Sequence, residues 1–248
     1  MTTALDESLS GEKVQSFVDV LGTRSAWPDA GHSGGDSYFA SRRRLPLPDG
    51  SVSIESVSLA AGQSGQAVLT GDEFVLVLNG TIRVRQAAHE LLLGTGEAGV
   101  VVRDRPLDWA TDGTTELLIM RCEAGGGAGA DKPVLIDVGA QLSPSNPPLA
   151  DLLIGPTPSC RNHSDYRSAS GEFVCGTWDS TPYHRRLMIF RHFELMKLLE
   201  GQVTFVDEEG RSGYFGPGDV VLFVQGGGCS WESRTYVKKI YSTYRPAG

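Results

Sequence analysis

Apolar residues occur along the chain in short runs that alternate with polar ones at a period of two. Turn residues bound each run, and that pattern predicts strands. FVLVLNGTIRV (74–84) reads as two strands folded about a tight turn at Asn79-Gly80. GVVVRD (99–104) and TTELLIMRC (114–122) supply two more. The same order then returns in FELMKLLEGQVTFV (193–206), GDVVLFVQ (218–225) and TYVKKIYSTY (235–244). Helical periodicity is weak, and only residues 5–20 and the segment near 146–153 are candidates for short helices.

Between the two series lies Ala124-Gly125-Gly126-Gly127-Ala128-Gly129-Ala130, which is too rich in glycine for regular structure and reads as a linker or exposed turn. The halves on either side share landmarks. Glu73 stands 7 residues before Gly80, and Glu194 stands 7 before Gly201. Gly80 to Gly96 is 16 residues and Gly201 to Gly218 is 17, while Gly96 to Trp109 and Gly218 to Trp231 are both 13. An alternating strand follows each tryptophan. The chain therefore reads as a tandem duplication of a small β-unit.

Composition narrows the function classes. With 31 Gly and 13 Pro in 248 residues, many turns and short strands are expected. A net charge of -8, from 22 basic and 30 acidic residues, disfavours nucleic acid as a partner. The single basic run, Arg42-Arg43-Arg44, reads as a solvated strand end. Apolar runs such as VVLFV fall far short of the roughly 20 residues of a membrane span. MTTALDESLSGEKVQ lacks the basic start and apolar stretch of an export signal, so a cytoplasmic protein without membrane association is expected. Cys122, Cys160, Cys175 and Cys229 form no CxxC pair, which favours reduced thiols over a structural zinc site.

The segments ELMKLLEG (194–201), FVDEEGRSGYFGPGD (205–219) and CSWESRTYVKKIY (229–241) resemble a cupin barrel. More narrowly, they are similar to the cupin subfamily that contains (S)-ureidoglycine aminohydrolase and the ethanolamine-utilisation cupins. The resemblance runs well from Gly176-Thr177-Trp178 to Tyr241, and more loosely through DEFVLVLNG and the tryptophan spacing of the first half. It implies an all-β bicupin of two tandem jelly-roll barrels. A degenerate first barrel spans 1–124 and a ligand-binding second barrel spans 132–248. Barrels of this kind commonly pair through edge strands, so a homodimer is expected.

Cupin metal sites are usually built from an HxH pair, a following glutamate and a third histidine on the second hairpin, converging on a divalent ion. Glu73 and Glu194 hold the glutamate position. Neither half has the HxH pair, and the third-histidine position is Leu107 in the first half and Cys229 in the second. No metal is the leading expectation. In the first half Glu73 reads as a strand-end hydrogen-bonding group. In the second half His192, Glu194 and Cys229 remain an alternative site for a divalent metal, with His184 as a possible fourth ligand.

The duplication is its own control, because chemistry should sit where polar groups replace apolar ones. Aligning the tryptophans sets Thr115, Leu117 and Ile119 against Val237, Lys239 and Tyr241, Leu107 against Cys229, and Gly71 against His192. If Leu117 and Ile119 face the barrel interior, Lys239 and Tyr241 do too, and a lysine there needs a partner or a solvated pocket. Lys239 is expected to pair with Glu194 or Glu232, or to hold an anionic ligand. Trp178 and Trp231 are packing residues or a flat ligand wall. Arg185, Arg186 and Arg191 are expected to face solvent or to clamp an anion at the barrel mouth.

The leading expectation is a bicupin that binds a small nitrogenous or carboxylated metabolite through Glu194, Lys239, Tyr241, Trp231 and Cys229. The alternatives are a metal-dependent, ureidoglycine aminohydrolase-like enzyme and a non-catalytic structural or regulatory dimer. The sequence leaves open whether the protein is an enzyme.

Overall fold

The computed structural model describes residues 15–31, 35–124 and 127–247. The fold is all-β, with two tandem jelly rolls, each made of a large and a small antiparallel sheet. In the first barrel the large sheet runs Val134–Leu135, Ala98–Val101, Asp72–Asn79, Thr115–Cys122, Val52–Leu59, Arg43–Arg44. Its small sheet runs Ser64–Val68, Pro106–Thr111, Thr81–Gln86, His89–Gly94. In the second barrel the large sheet runs Phe17–Asp19, Val220–Phe223, Phe193–Glu200, Val237–Tyr244, Phe173–Ser180, Cys160–Arg167, Ser143–Ser145. Its small sheet runs Tyr183–Ile189, Gly228–Ser233, Val203–Val206, Ser212–Phe215.

Two strands cross between the halves. Phe17–Asp19 precedes the first barrel yet pairs with Val220–Phe223 of the second. Val134–Leu135 follows the glycine-rich stretch yet pairs with Ala98–Val101 of the first. Of the helix candidates, residues 5–14 lie outside the described residues, as do Gly125 and Gly126 of the glycine stretch. Beyond them the chain forms the strand Phe17–Asp19 and one helical turn, Val20–Thr23. Near 146–153 there is a single 3-10 turn, Ala150–Leu152. A short helix at Ser37–Ala40 had no periodic signal in the sequence.

The apolar pattern builds three cores. In Thr115–Cys122, Leu117 and Ile119 pack into the first barrel, whereas Leu118, Met120 and Cys122 point the other way. That second set meets Leu195, Leu222, Ile240 and Tyr244 of the other half in a core between the two large sheets. Strands buried on both faces read as near-continuous apolar runs, which explains LLIM and VVLF. The small sheets show the complementary case. Thr81–Gln86 alternates buried Ile82 and Val84 with exposed Arg83 and Arg85, because only one face is covered.

The duplication holds residue by residue. Glu73 is paired with Arg121, Val75 with Ile119 and Val77 with Leu117. Correspondingly, Glu194 is paired with Thr243, Met196 with Tyr241 and Leu198 with Lys239. Both strand pairs carry a register shift at the same end. The turns that follow use Gly80 and Gly201 at φ +83° and +77°, a region that only glycine enters without strain.

Candidate functional site

The first barrel is filled by its own chain. Helix Ser37–Ala40 is capped by Asp36, whose Oδ1 accepts from the Tyr38 amide at 2.8 Å, and it delivers Tyr38 and Arg42 into the interior. Arg42 is 2% exposed. Its Nη1 donates to Glu55 Oε2 and Glu73 Oε1, both at 2.8 Å, and its Nη2 donates to Glu73 Oε2 at 3.0 Å. The guanidinium lies 4.7 and 4.9 Å from the Tyr38 and Phe39 ring centres, and the Tyr38 hydroxyl donates to Glu73 at 2.8 Å. This corrects the reading of Arg42 as a solvated residue. It has two carboxylate partners, Glu55 and Glu73, both wholly buried, and Arg44 adds a second cation on Glu55 at 2.7 Å. Glu73, second in the strand Asp72–Asn79, is the strand-end hydrogen-bonding group expected, and it is wholly buried in the barrel interior. Burial pushes the Glu55 carboxyl up, but the Arg42 charge and the hydrogen bonds from Arg42, Ser53 and Arg44 override it and hold the group at about 2.

The second barrel is open. A cavity of about 600 Å³ reaches its interior. It is walled by Trp178, Tyr183, Phe190, Phe223 and Trp231, floored by Glu194 and Lys239, and rimmed by Asn146–Leu149. Register explains the contrast. The position of Glu55, opposite Ile119, is Gly176 here, and Val57, opposite Leu117, is replaced by Trp178. Leu117 itself is replaced by Lys239. The barrel that lost one carboxylate gained its own cation and needs none from outside.

Lys239 Nζ donates to Glu194 Oε1 at 2.7 Å and sits 4.7 and 5.1 Å from the Trp178 and Trp231 ring centres. Glu194 Oε2 lies 3.3 Å from His192 Nε2, and His192 Nδ1 lies 3.3 Å from Arg245 Nη2 at the mouth. With the proton on Nε2, His192 donates to Glu194 and accepts from Arg245. Burial pushes the Glu194 carboxyl up, but the Lys239 charge and the His192 and Lys239 hydrogen bonds hold it well below the usual carboxylate range. Trp231 stacks on Tyr183 at 5.4 Å and 5° and meets Trp178 edge-on at 6.0 Å. Tyr241 lines the cavity, with its hydroxyl 3.0 Å from Ser164 Oγ.

Of the residues expected at the site, Glu194, Lys239, Tyr241 and Trp231 are brought together at the cavity. Cys229 is not among its lining residues. It lies in the barrel core at 0% exposure, where burial pushes its thiol up to about 12 against the pull of the nearby Arg185 charge. Glu232 pairs with Arg234 and not with Lys239. His184 lies on the opposite strand face from Tyr183 and Arg185. Arg186 and Arg191 are exposed as expected, but Arg185 is 4% exposed and lines the cavity.

The donor set does not fit a divalent metal. Among the described residues no group of three His, Cys, Asp or Glu side chains is placed to hold one. Of the triad His192, Glu194 and Cys229, only the first two are in contact. An ammonium already occupies the Glu194 oxygen, and Cys229 lies in the packed core away from the cavity.

Fold and cavity together define a class: a protein of cupin fold whose second barrel keeps an open cavity. Within it, residues 167–241 match the EutQ-like cupin domain family. Among solved structures, the chain is similar to a protein of unknown function of the DUF861 family from Pseudomonas syringae pv. tomato str. DC3000. They share 26% identity over 90% of this chain and 93% of that one, with a TM-score of 0.81. Two more distant likenesses concern the fold alone. Protein Ylba from E. coli shares 11% identity over 94% of this chain and 92% of that one, at a TM-score of 0.57. A salicylate 1,2-dioxygenase from Pseudaminobacter salicylatoxidans shares 9% over 90% and 81%, at 0.56. No curated protein matches the chain. Among the described residues, no helix is long and apolar enough to cross a membrane.

Proposed function

We propose that the protein is a small-molecule-binding bicupin whose ligand, a nitrogenous or carboxylated metabolite, sits in the second barrel. One observation carries this reading. Two barrels of one pattern differ in that the first is filled by Tyr38 and Arg42, while the second keeps a cavity of about 600 Å³ lined with aromatic rings and a charged pair. That volume suits a metabolite, and apolar walls with few polar groups are what small-molecule sites present. Lys239 and Glu194 offer a donor and an acceptor at the floor. Kinship with ureidoglycine aminohydrolase is the finer reading. Its metal-dependent form is disfavoured by the donor set around Glu194.

The test is thermal melting of the full chain against a panel of nitrogenous and carboxylated metabolites, alongside the double variant Lys239→Leu/Glu194→Gln. Ligands should raise the melting temperature of the wild type and not that of the variant. A panel that shifts neither protein, or both equally, overturns the reading.

A further inference from the structure

Arg185 is a buried cation without a carboxylate. It lines the cavity at 4% exposure, and among the described residues its side chain makes one hydrogen bond, from Nη1 to the Arg186 carbonyl at 3.3 Å. The cavity's carboxylate, Glu194, is already taken by Lys239 and His192. A guanidinium that lines a ring-walled cavity and faces no carboxylate gives that cavity a net attraction for an anion.

The first barrel shows what stands at the same place. Gly65 is paired with Trp109 there, as Arg185 is paired with Trp231 here. A β-carbon on Gly65 would overlap the Asp36 carboxylate, which accepts a hydrogen bond from Trp109 Nε1 at 3.1 Å. The first barrel therefore sets a carboxylate beside its tryptophan and keeps a glycine to admit it. Two residues on, the plug is a planar ring. Tyr38 lies 6.1 Å from Trp109, with its hydroxyl on Glu73. The second barrel has an arginine in place of the glycine, lacks the plug, and leaves its ring-lined interior open.

We infer that Arg185 is the anion-binding residue of the second barrel and that its ligand is a small carboxylate with a planar body. The carboxylate lies on the Arg185 guanidinium, whose fork matches its two oxygens, and the ring lies against Trp231 and Tyr183. The inference rests on the second barrel being a ligand site.

Titration of the full chain, followed by tryptophan fluorescence and calorimetry, uses three probes: benzoate, the neutral benzamide and the non-planar cyclohexanecarboxylate. Benzoate should bind at least about tenfold more tightly than benzamide, as expected for a charge-assisted pair, and more tightly than cyclohexanecarboxylate. Arg185→Met should lose about tenfold or more for benzoate and little for benzamide. Because Arg185 holds no carboxylate of the barrel, that variant should also melt no lower than the wild type, whereas a structural arginine would lower the melting temperature. Equal binding of benzoate and benzamide by the wild type overturns the inference, and so does undiminished benzoate binding by Arg185→Met. The benzoate–benzamide comparison needs no variant to fold. A wild type that responds to other metabolites but not to benzoate refutes the carboxylate and leaves the ligand site standing. A wild type that responds to nothing refutes both.

Discussion

The two barrels solve one electrostatic problem in opposite ways. Each carries a glutamate on the same inward position, Glu73 in one and Glu194 in the other, and neither carboxylate can be left alone in an apolar interior. The first barrel recruits Arg42 from a remote loop and spends its interior on that side chain and Tyr38. The second supplies Lys239 from the neighbouring strand, a cation slim enough to leave room beside it. The difference teaches that the source of the counter-charge, distant or adjacent, decides whether a barrel is filled or open.

The sharpest way to break the comparison is to withdraw the recruited cation. Arg42→Met leaves Glu55 and Glu73 buried together and should destabilise the chain by about 4 kcal/mol, read as a lowered urea midpoint. Adding Glu73→Gln should recover part of the loss, and an unchanged midpoint for Arg42→Met would refute the plug as a stabilising element.

Acid attacks the same pair from the other side. The folded-state value of Glu55, about 2, lies below its ordinary 4.5. Its contribution is therefore complete above about pH 4.5 and drains away as pH falls through about 2, for a total of about 3 kcal/mol. Glu194 is shifted in the same direction. Urea midpoints measured across this range should fall with pH, and a flat profile would contradict both pairings.

A smaller effect is expected from giving the second barrel the first barrel's residue. Lys239→Leu should cost about 2 kcal/mol, less than Arg42→Met because the cavity admits water to Glu194. The double variant Lys239→Leu/Glu194→Gln should return to within about 1 kcal/mol of the wild type. The last prediction is the absence of an effect. Elemental analysis of protein grown with added manganese, iron, nickel and zinc should show metal far below one ion per chain, and a stoichiometric metal that falls in His192→Ala would revive the triad.

Much of this contrast was legible in the residues. Glu, Gly and Trp landmarks at matched spacing gave the duplication, and parity along a strand then sent Lys239 and Tyr241 inward with Leu117 and Ile119. Arg42 was hidden because its partners are 13 and 31 residues away and an Arg-Arg-Arg run looks like any solvated charge cluster. Arg185 was left undivided from Arg186 and Arg191, because a register shift between Arg185 and Met188 breaks the alternation that would have set the three apart. Cys229 followed the alternation inward, but alternation cannot tell a cavity wall from the packed core behind it.

The crossed strands bear on how the molecule comes apart. Phe17–Asp19 is an edge of the second barrel carried by the first half, and Val134–Leu135 an edge of the first carried by the second. With the two large sheets sharing one core as well, neither half completes its own sheets and core without the other. Heating should produce a single cooperative transition, and a cut at the glycine-rich stretch should leave two fragments that hold together.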